Sequence, residues 1–280
     1  MATTAAAIAT VAPAQTPARV PVGLLIWAVR DEEQRDLFGT LRAVAKMGYE
    51  GVQFWAPYFY WTPEYTRQVR KQLDDLGLPC LATYSESSSF TPDGLIRAME
   101  LNQILGSQSI VAARGLAATT GSNPYHGFEG TGLDGYKRLA ERLQQAAERL
   151  RAVKMTCAFH NHAIEFRKID GIRPIDIIAG AKDVMFQNDV AFVAEGGADP
   201  VAFIEQYPGR TDCILCTDWP RNARNRYPLL GQGGQPWKKI FAAAESRGGV
   251  RSYVITQENS DDSPMDAVRK DLEYFRQLHG

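Results

Sequence analysis

The sequence has no excess of charge of either sign, little cysteine and no long apolar run. Its 280 residues contain 31 Lys and Arg against 32 Asp and Glu, a net charge of −1. The chain therefore lacks the excess of positive charge that is typical of proteins that bind nucleic acid or an anionic membrane. No run approaches the roughly 18 apolar residues of a membrane-spanning helix. These absences predict no nucleic-acid partner, no membrane span and a small substrate that is not polyanionic.

The four cysteines give no sign of a disulfide framework. They lie in or beside predicted buried strands, where cysteine behaves as a small hydrophobic residue: Cys80, Cys157, Cys213 and Cys216. Cys213 and Cys216 have the spacing of a redox or zinc pair, but they lie inside an apolar strand and no second pair completes a zinc site. We expect all four to be structural.

Residues 1–20 are expected to lie outside the fold. Residues 2–18 are small, uncharged and mildly apolar, and Ala12-Pro13-Ala14 has the form of a signal-peptidase site without a preceding basic residue. Two interpretations are open. The segment is either the remnant of an export signal, which would place the protein in the periplasm, or a disordered leader on a cytoplasmic protein.

From residue 21 to residue 280 the sequence alternates eight times between a short aliphatic run and an amphipathic helix. The predicted strands are 22–28, 49–54, 78–83, 109–112, 155–160, 184–190, 212–216 and 252–255. The predicted helices are 33–47, 63–76, 92–105, 134–153, 174–180, 200–206, 237–246 and 264–278. Eight such units with apolar strands predict a single (β/α)8 TIM barrel of the α/β class. A doubly wound open sheet is the alternative, but no G-x-G-x-x-G follows its first strand.

Two histidines and a glutamate follow the fifth predicted strand, in the segment Phe159-His160-Asn161-His162-Ala163-Ile164-Glu165-Phe166. Alternation along the strand sends His160 and His162 to one side and Asn161 to the other. Neutral imidazole binds Mn, Fe or Zn and also transfers protons near neutral pH. Since barrel active sites lie at the carboxyl ends of the strands, this segment predicts a metal-binding or proton-transfer site. The alternative is a polar loop whose histidines satisfy buried backbone.

Other predicted strand ends carry aromatic and polar side chains that suit a carbohydrate. Aromatic rings suit the apolar face of a sugar, and amides and carboxylates suit its hydroxyls. The predicted substrate-binding residues are Trp27, Arg30, Trp55, Tyr84, Arg114, Asp218, Trp219 and Gln257. Packing in the core is the alternative for the aromatic residues among them. The long loop 114–132 is predicted to cover the site, because loops of this length in compact domains are usually functional.

Several short sequence motifs, spread over residues 22–278, resemble those of the sugar isomerase/epimerase group of xylose-isomerase-like barrels. That group also contains inosose dehydratases and keto-sugar lyases. Residues 23–30 are similar to its Gly-x-Gln-Leu-Tyr-Ser-Val-Arg opening, and residues 159–166 to its Tyr-His-Asn-His-x-x-Glu-Phe phrase. Residues 199–210 and 231–233 add two further phrases in the family order.

The resemblance implies one divalent metal (Mn, Mg, Co or Zn) held at the ends of strands five to eight, where it polarises a carbonyl or enediolate. His160 and Asp189 stand in the first two ligand positions. Leu215 and Thr256 stand where the family has histidine and glutamate. Leucine cannot coordinate a metal and threonine does so poorly, so this set should bind metal weakly. Two more positions where the family commonly has glutamate hold Gln53 and Gln232.

These features together predict an isomerase, epimerase or lyase that acts on a small sugar or keto-sugar by proton abstraction next to a carbonyl. His162 would transfer the proton, Glu165 would orient an imidazole through its second nitrogen, and Glu258 would be a reserve base or ligand. Either Glu258 or His162 completes a shifted metal site, or the reaction runs without metal.

A protein that has lost the metal site and acts as a non-catalytic sugar-binding or partner subunit is the alternative, and a homo-oligomer fits either reading. DNA-repair endonuclease activity, known in relatives of this fold, is not favoured because it requires a richer metal cluster and a basic surface.

Overall fold

The computed structural model describes residues 19–113, 132–220 and 227–279. Within them eight parallel strands close into a barrel in chain order, with β8 paired to β1. The strands are β1 (Val22–Leu25), β2 (Gly51–Phe54), β3 (Cys80–Ser85), β4 (Ser109–Ala112), β5 (Thr156–His160), β6 (Met185–Asp189), β7 (Thr211–Cys216) and β8 (Ser252–Ile255). The predicted (β/α)8 barrel is confirmed. The leader 1–18 and most of the predicted covering loop, with Arg114, lie outside the described residues.

Ten α-helices surround the barrel in the described part of the chain. They are α1 (Arg30–Arg35), α2 (Leu37–Met47), α3 (Pro63–Leu76), α4 (Pro92–Leu105), α5 (Gly132–Ala152), α6 (Pro174–Ala179), α7 (Val190–Glu195), α8 (Pro200–Gln206), α9 (Trp237–Ala243) and α10 (Pro264–His279). In the described residues, none is long and apolar enough to cross a membrane.

The Thr-Pro signals at the helix starts act as the sequence predicts. The Thr62 hydroxyl accepts the Tyr65 N–H at 3.2 Å, and proline occupies the first turn of α3. Proline suits that position because its missing N–H would have no partner within the helix. At a helix C-terminus, Gly48 closes α2 with a φ of +94°, a left-handed conformation that favours glycine.

Local structure departs from the prediction at two strand ends. The first strand stops at Leu25 and a 3-10 turn, Ile26–Val29, follows it. The predicted helix 33–47 is divided at Asp36, whose extended backbone interrupts the helix and whose carboxylate accepts the Gly39 N–H at 2.8 Å to start α2. Similarly, the sixth strand ends at Asp189, because that side chain caps a new short helix, α7.

The barrel interior is mostly apolar but contains one buried amide pair. Leu25, Leu215 and Val254 pack together inside the barrel. Gln53 and Gln187 exchange two hydrogen bonds across it, at 2.7 and 3.3 Å. The pair satisfies both amides without a charge, as burial requires.

All four cysteines are buried and free, as predicted. Burial raises the thiol pKa of Cys80, Cys157 and Cys213 to about 12. The thiolate is therefore suppressed, which fits a structural role.

Candidate active site

The two imidazoles meet at the carboxyl end of β5. The ring centres of His160 and His162 lie 4.6 Å apart, nearly perpendicular. Asn161 points the other way, as alternation predicts: its side chain exchanges two 3.1 Å hydrogen bonds with the backbone of Asp189. Asn161 therefore ties β5 to β6 and fixes the position of the imidazole pair relative to Asp189.

Tyr84, from β3, makes a direct hydrogen bond to this pair. Its hydroxyl lies 2.7 Å from Nδ1 of His160. Burial raises the pKa of the Tyr84 phenol well above its usual value, with further contributions from the nearby Asp189 and other acidic groups. Burial also holds the pKa of His160 well below its usual value, and His162 adds to this effect. Both groups are therefore neutral at physiological pH.

Phe192, which the sequence analysis did not single out, forms one wall of the site. Its ring stacks on His162 with centres 5.0 Å apart and lies 6.0 Å from the ring of His160. It occupies this place because the cap at Asp189 starts α7 within one turn of the strand end. The only signal in the sequence was an N-capping residue before a short apolar run.

Two carboxylates face the same region. Asp189 is buried, and its Oδ1 accepts the Phe192 N–H at 3.0 Å. Burial raises the pKa of the Asp189 carboxyl well above its usual value, and the charge of Glu258 raises it further. Glu258 accepts the indole N–H of Trp27 at 3.4 Å. The predicted residues on β5, β6 and the loop after β8 are therefore brought together.

Glu165 is fully buried and accepts two hydrogen bonds. One oxygen accepts the backbone N–H of His162 at 2.6 Å, and the other accepts the Tyr136 hydroxyl at 3.2 Å. The distance from its carboxylate to the His162 Nδ1 is 4.0 Å. One of its hydrogen bonds thus fixes the backbone of His162.

The predicted aromatic wall lies beside Glu258. Trp27 and Trp55 meet edge to face with ring centres 4.9 Å apart, and the guanidinium of Arg30 lies 4.3 Å from the Trp27 ring centre. Trp55 is buried, and its indole N–H donates to Glu33 at 3.2 Å. This arrangement agrees with the alternative that Trp55 packs in the core. Trp27 and Arg30 remain partly exposed.

A cleft of about 180 Å³ opens between the loops after β1 and β8 and includes Arg30, Gln257 and Glu258 in its lining. The Gln257 amide bonds the loop after β7 and its own loop after β8. Its amide donates to the Pro228 carbonyl at 3.4 Å and accepts the Asn259 N–H at 3.3 Å. Two of the predicted site residues, Arg30 and Glu258, thus contribute charged groups to this cleft.

The Asp218 carboxylate organises the loop after β7. Its two oxygens accept five N–H groups at 2.7 to 3.3 Å, from the backbone of Trp219, Gly231, Gly233 and Gln235 and from the indole of Trp237. A buried carboxylate with this many donors is satisfied by the protein itself. Trp219 remains partly exposed beside it.

The side chains present do not fit the implied metal. Leu215 packs in the apolar interior, and the buried Thr256 hydroxyl has no hydrogen-bond partner, but a neutral hydroxyl adds only a weak donor. With Nδ1 of His160 bonded to Tyr84 and Oδ1 of Asp189 capping a helix, these two residues offer one nitrogen and one oxygen, which are only two strong donors. In the described ranges no group of three or more His, Cys, Asp or Glu side chains is placed to hold a metal ion.

A closed (β/α)8 barrel with imidazole, phenol and carboxylate groups at its carboxyl-end mouth defines the class of this protein. The profile of the xylose isomerase-like TIM barrel family matches residues 41–278, and the chain belongs to that family. Comparison with curated proteins finds no match.

Solved structures share the fold at low sequence identity. A sugar phosphate isomerase/epimerase from Parabacteroides distasonis has a TM-score of 0.74 and 19% identity, over 95% of this chain and 96% of its own. A D-psicose 3-epimerase, crystallised in the presence of D-fructose, has a TM-score of 0.65 and 13% identity, over 92% and 99%. A probable 3-DHS dehydratase from Bacillus anthracis has a TM-score of 0.64 and 12% identity, over 91% and 98%.

Proposed function

We propose that this protein is an isomerase, epimerase or lyase that abstracts a proton next to the carbonyl of a small sugar or keto-sugar. The observation that carries the proposal is the convergence of His160, His162 and Tyr84 with the carboxyl groups of Asp189 and Glu258 at one end of the barrel. The solved relatives named above act in isomerisation, epimerisation or dehydration, which supports the same reaction class.

His162 is the proposed proton-transfer group. Its ring is held between Phe192 and His160, and its backbone is fixed by Glu165. An imidazole in such a fixed position transfers protons efficiently near neutral pH. Glu258 is the proposed second base. Trp27 and Arg30 form the proposed sugar-binding surface.

The proposal includes no metal, because the donor set does not fit one. We expect activity to survive dialysis against a chelator. Elemental analysis of protein purified from Mn-containing medium checks this independently of activity. Near-stoichiometric metal that is lost in both His160→Ala and Asp189→Ala would restore the ligand roles that the resemblance implies.

Exchange with solvent deuterium tests the reaction class. The protein is incubated in D2O with a panel of keto-sugars, and deuterium at the carbon next to the carbonyl is followed by NMR. We expect exchange in the wild type and a loss of about 100-fold or more in His162→Gln. His279→Gln is the matched control, because His279 lies at the end of α10 and bonds Glu245 instead of the site.

If the protein binds a sugar with the same affinity in the wild type and in His162→Gln but exchanges no deuterium, the proposed enzymatic function is wrong. The protein is then better described as a non-catalytic sugar-binding protein.

A further inference from the structure

The hydroxyl of Thr256 is buried at the mouth of the barrel and makes no hydrogen bond to the described residues. Thr256 directly follows β8 and is 2% exposed. Burial removes a polar group from water, so a buried hydroxyl normally has a hydrogen-bond partner. The hydroxyl of Thr217, which directly follows β7, is equally buried and also lacks a partner among the described residues. Two such hydroxyls at strand ends therefore point to a ligand oxygen as the partner.

The two hydroxyls belong to neighbouring strand ends. In the register of β7 and β8, Cys216 pairs with Ile255. The pairing continues for one more residue, because the Thr256 N–H donates to the Cys216 carbonyl at 3.4 Å. Thr217 therefore lies beside Thr256 at the carboxyl ends of the strands, where the active sites of such barrels lie.

Thr256 lies on the inner face of the barrel, between an apolar layer and a carboxylate. Val254, two residues earlier, packs inside the barrel with Leu215, and alternation along the extended chain returns Thr256 to the same face. Glu258, two residues later, accepts the Trp27 indole N–H at 3.4 Å across the mouth. The cleft described above includes Glu258 in its lining, so it opens next to the strand end that carries Thr256.

The surroundings of Thr256 favour a neutral oxygen over a charged one. Leu215 is apolar, and the ionisable groups that face this part of the mouth include the carboxyl groups of Asp189 and Glu258. The charge of Glu258 would repel a phosphate or carboxylate of a ligand, and two neutral hydroxyls compensate such a charge poorly once it is buried. A sugar hydroxyl both donates and accepts, so it pairs with a threonine hydroxyl in either direction.

We propose that the hydroxyl of Thr256, together with that of Thr217, binds a neutral hydroxyl group of the sugar at the strand end where the resemblance implies a metal ligand. The inference rests on the proposed function and adds a substrate-binding contact on the β7–β8 side of the site. A ligand that lacks this hydroxyl leaves the buried threonine unpaired and should bind more weakly.

Binding of a panel of uncharged ketoses to the full-length protein, measured by isothermal titration calorimetry, tests the contact. For the ketose that binds best, we expect Thr256→Val, which removes the hydroxyl and keeps the side-chain shape, to weaken binding about 10-fold. Thr256→Ser keeps the hydroxyl and should bind within about 3-fold of the wild type. The deoxy analogue that lacks the contacted hydroxyl should bind the wild type and Thr256→Val equally, since neither pair can form the bond.

Stability of the sugar-free protein separates a ligand contact from a structural role. Thr256→Val should leave the urea midpoint unchanged or raise it, because the hydroxyl bonds no described residue. Thr83→Val is the matched control. Thr83 is buried on β3 and its hydroxyl donates to Asn102 at 2.9 Å, so this variant should lower the midpoint and leave sugar binding unchanged.

Unchanged binding in Thr256→Val, the result expected if the hydroxyl meets only a water molecule, would overturn the inference, and so would a panel in which no uncharged ketose binds the wild type. If the wild type exchanges deuterium while Thr256→Val binds the ketose normally, the inference fails and the proposed function stands. Weaker binding in Thr256→Val without exchange of any ketose by the wild type refutes the enzymatic function and supports the sugar contact.

Discussion

Replacing Asp271 by asparagine should change how stability depends on pH. Asp271 lies on α10, is 1% exposed, and accepts the Leu230 N–H at 2.8 Å through one oxygen, while the other oxygen has no hydrogen-bond partner among the described residues. It thereby holds the same loop that Asp218 organises. Burial raises the pKa of Asp271 from 3.8 to about 7, and the negative charges of Asp218 and Asp262 raise it further. Hydrogen bonding by the Leu230 N–H and the Gln257 side chain lowers it in part.

The raised pKa means that the folded protein binds this proton more tightly than the unfolded chain does. The stabilisation is fully present below about pH 4 and is lost as the pH rises through about 7, a total of about 4 kcal/mol. Between about pH 5 and about pH 8 the expected loss is about 2.5 kcal/mol. Asp271→Asn removes this titration, so the variant should gain that amount on the wild type over the same range.

Urea unfolding followed by tryptophan fluorescence at several pH values measures the difference. Contributions from all other groups cancel between the two proteins, to the extent that the variant leaves their surroundings unchanged. Asp266→Asn, an exposed change on the same helix, is the matched control and should show no comparable gain. Parallel curves for wild type and Asp271→Asn would refute the reasoning, since the buried carboxyl would then titrate as in the unfolded chain.

Two substitutions and one labelling experiment probe the barrel and its loops. Asp218→Ala should destabilise the protein by on the order of 3 kcal/mol or more in urea unfolding, because five N–H groups lose their acceptor; a loss below about 1 kcal/mol would contradict that role. Gln53→Glu should lower the free energy of unfolding by about 3 kcal/mol at neutral pH, because a charged carboxylate is then buried beside Gln187. The loss should be smaller at low pH, where the protonated carboxyl again donates to Gln187. An equal loss at both pH values would argue against the amide pair. All four cysteines should react with a thiol reagent only after unfolding, so rapid labelling of the native protein would show that the thiols are not buried as described.

Periodicity sufficed to predict the architecture because each strand-helix unit is specified locally. Apolar runs, Thr-Pro starts and glycine stops defined the units, and eight apolar strands close into a barrel. The errors included the end of the sixth strand and the interior of the first predicted helix. At both places a single side chain, Asp189 or Asp36, ends one segment and caps a new helix, and an apolar pattern does not encode that choice.

The sequence by itself determined that His160 and His162 point to one side at the carboxyl end of β5, since this follows from alternation of extended residues and from where barrel strands end. Only the tertiary structure decided which group each side chain meets. Tyr84 bonds His160 from 76 residues away, and the Asp218 carboxylate accepts N–H groups of its own loop. Hydrogen-bond partners in a closed barrel come from strands that are distant in the chain, so no local pattern specifies them.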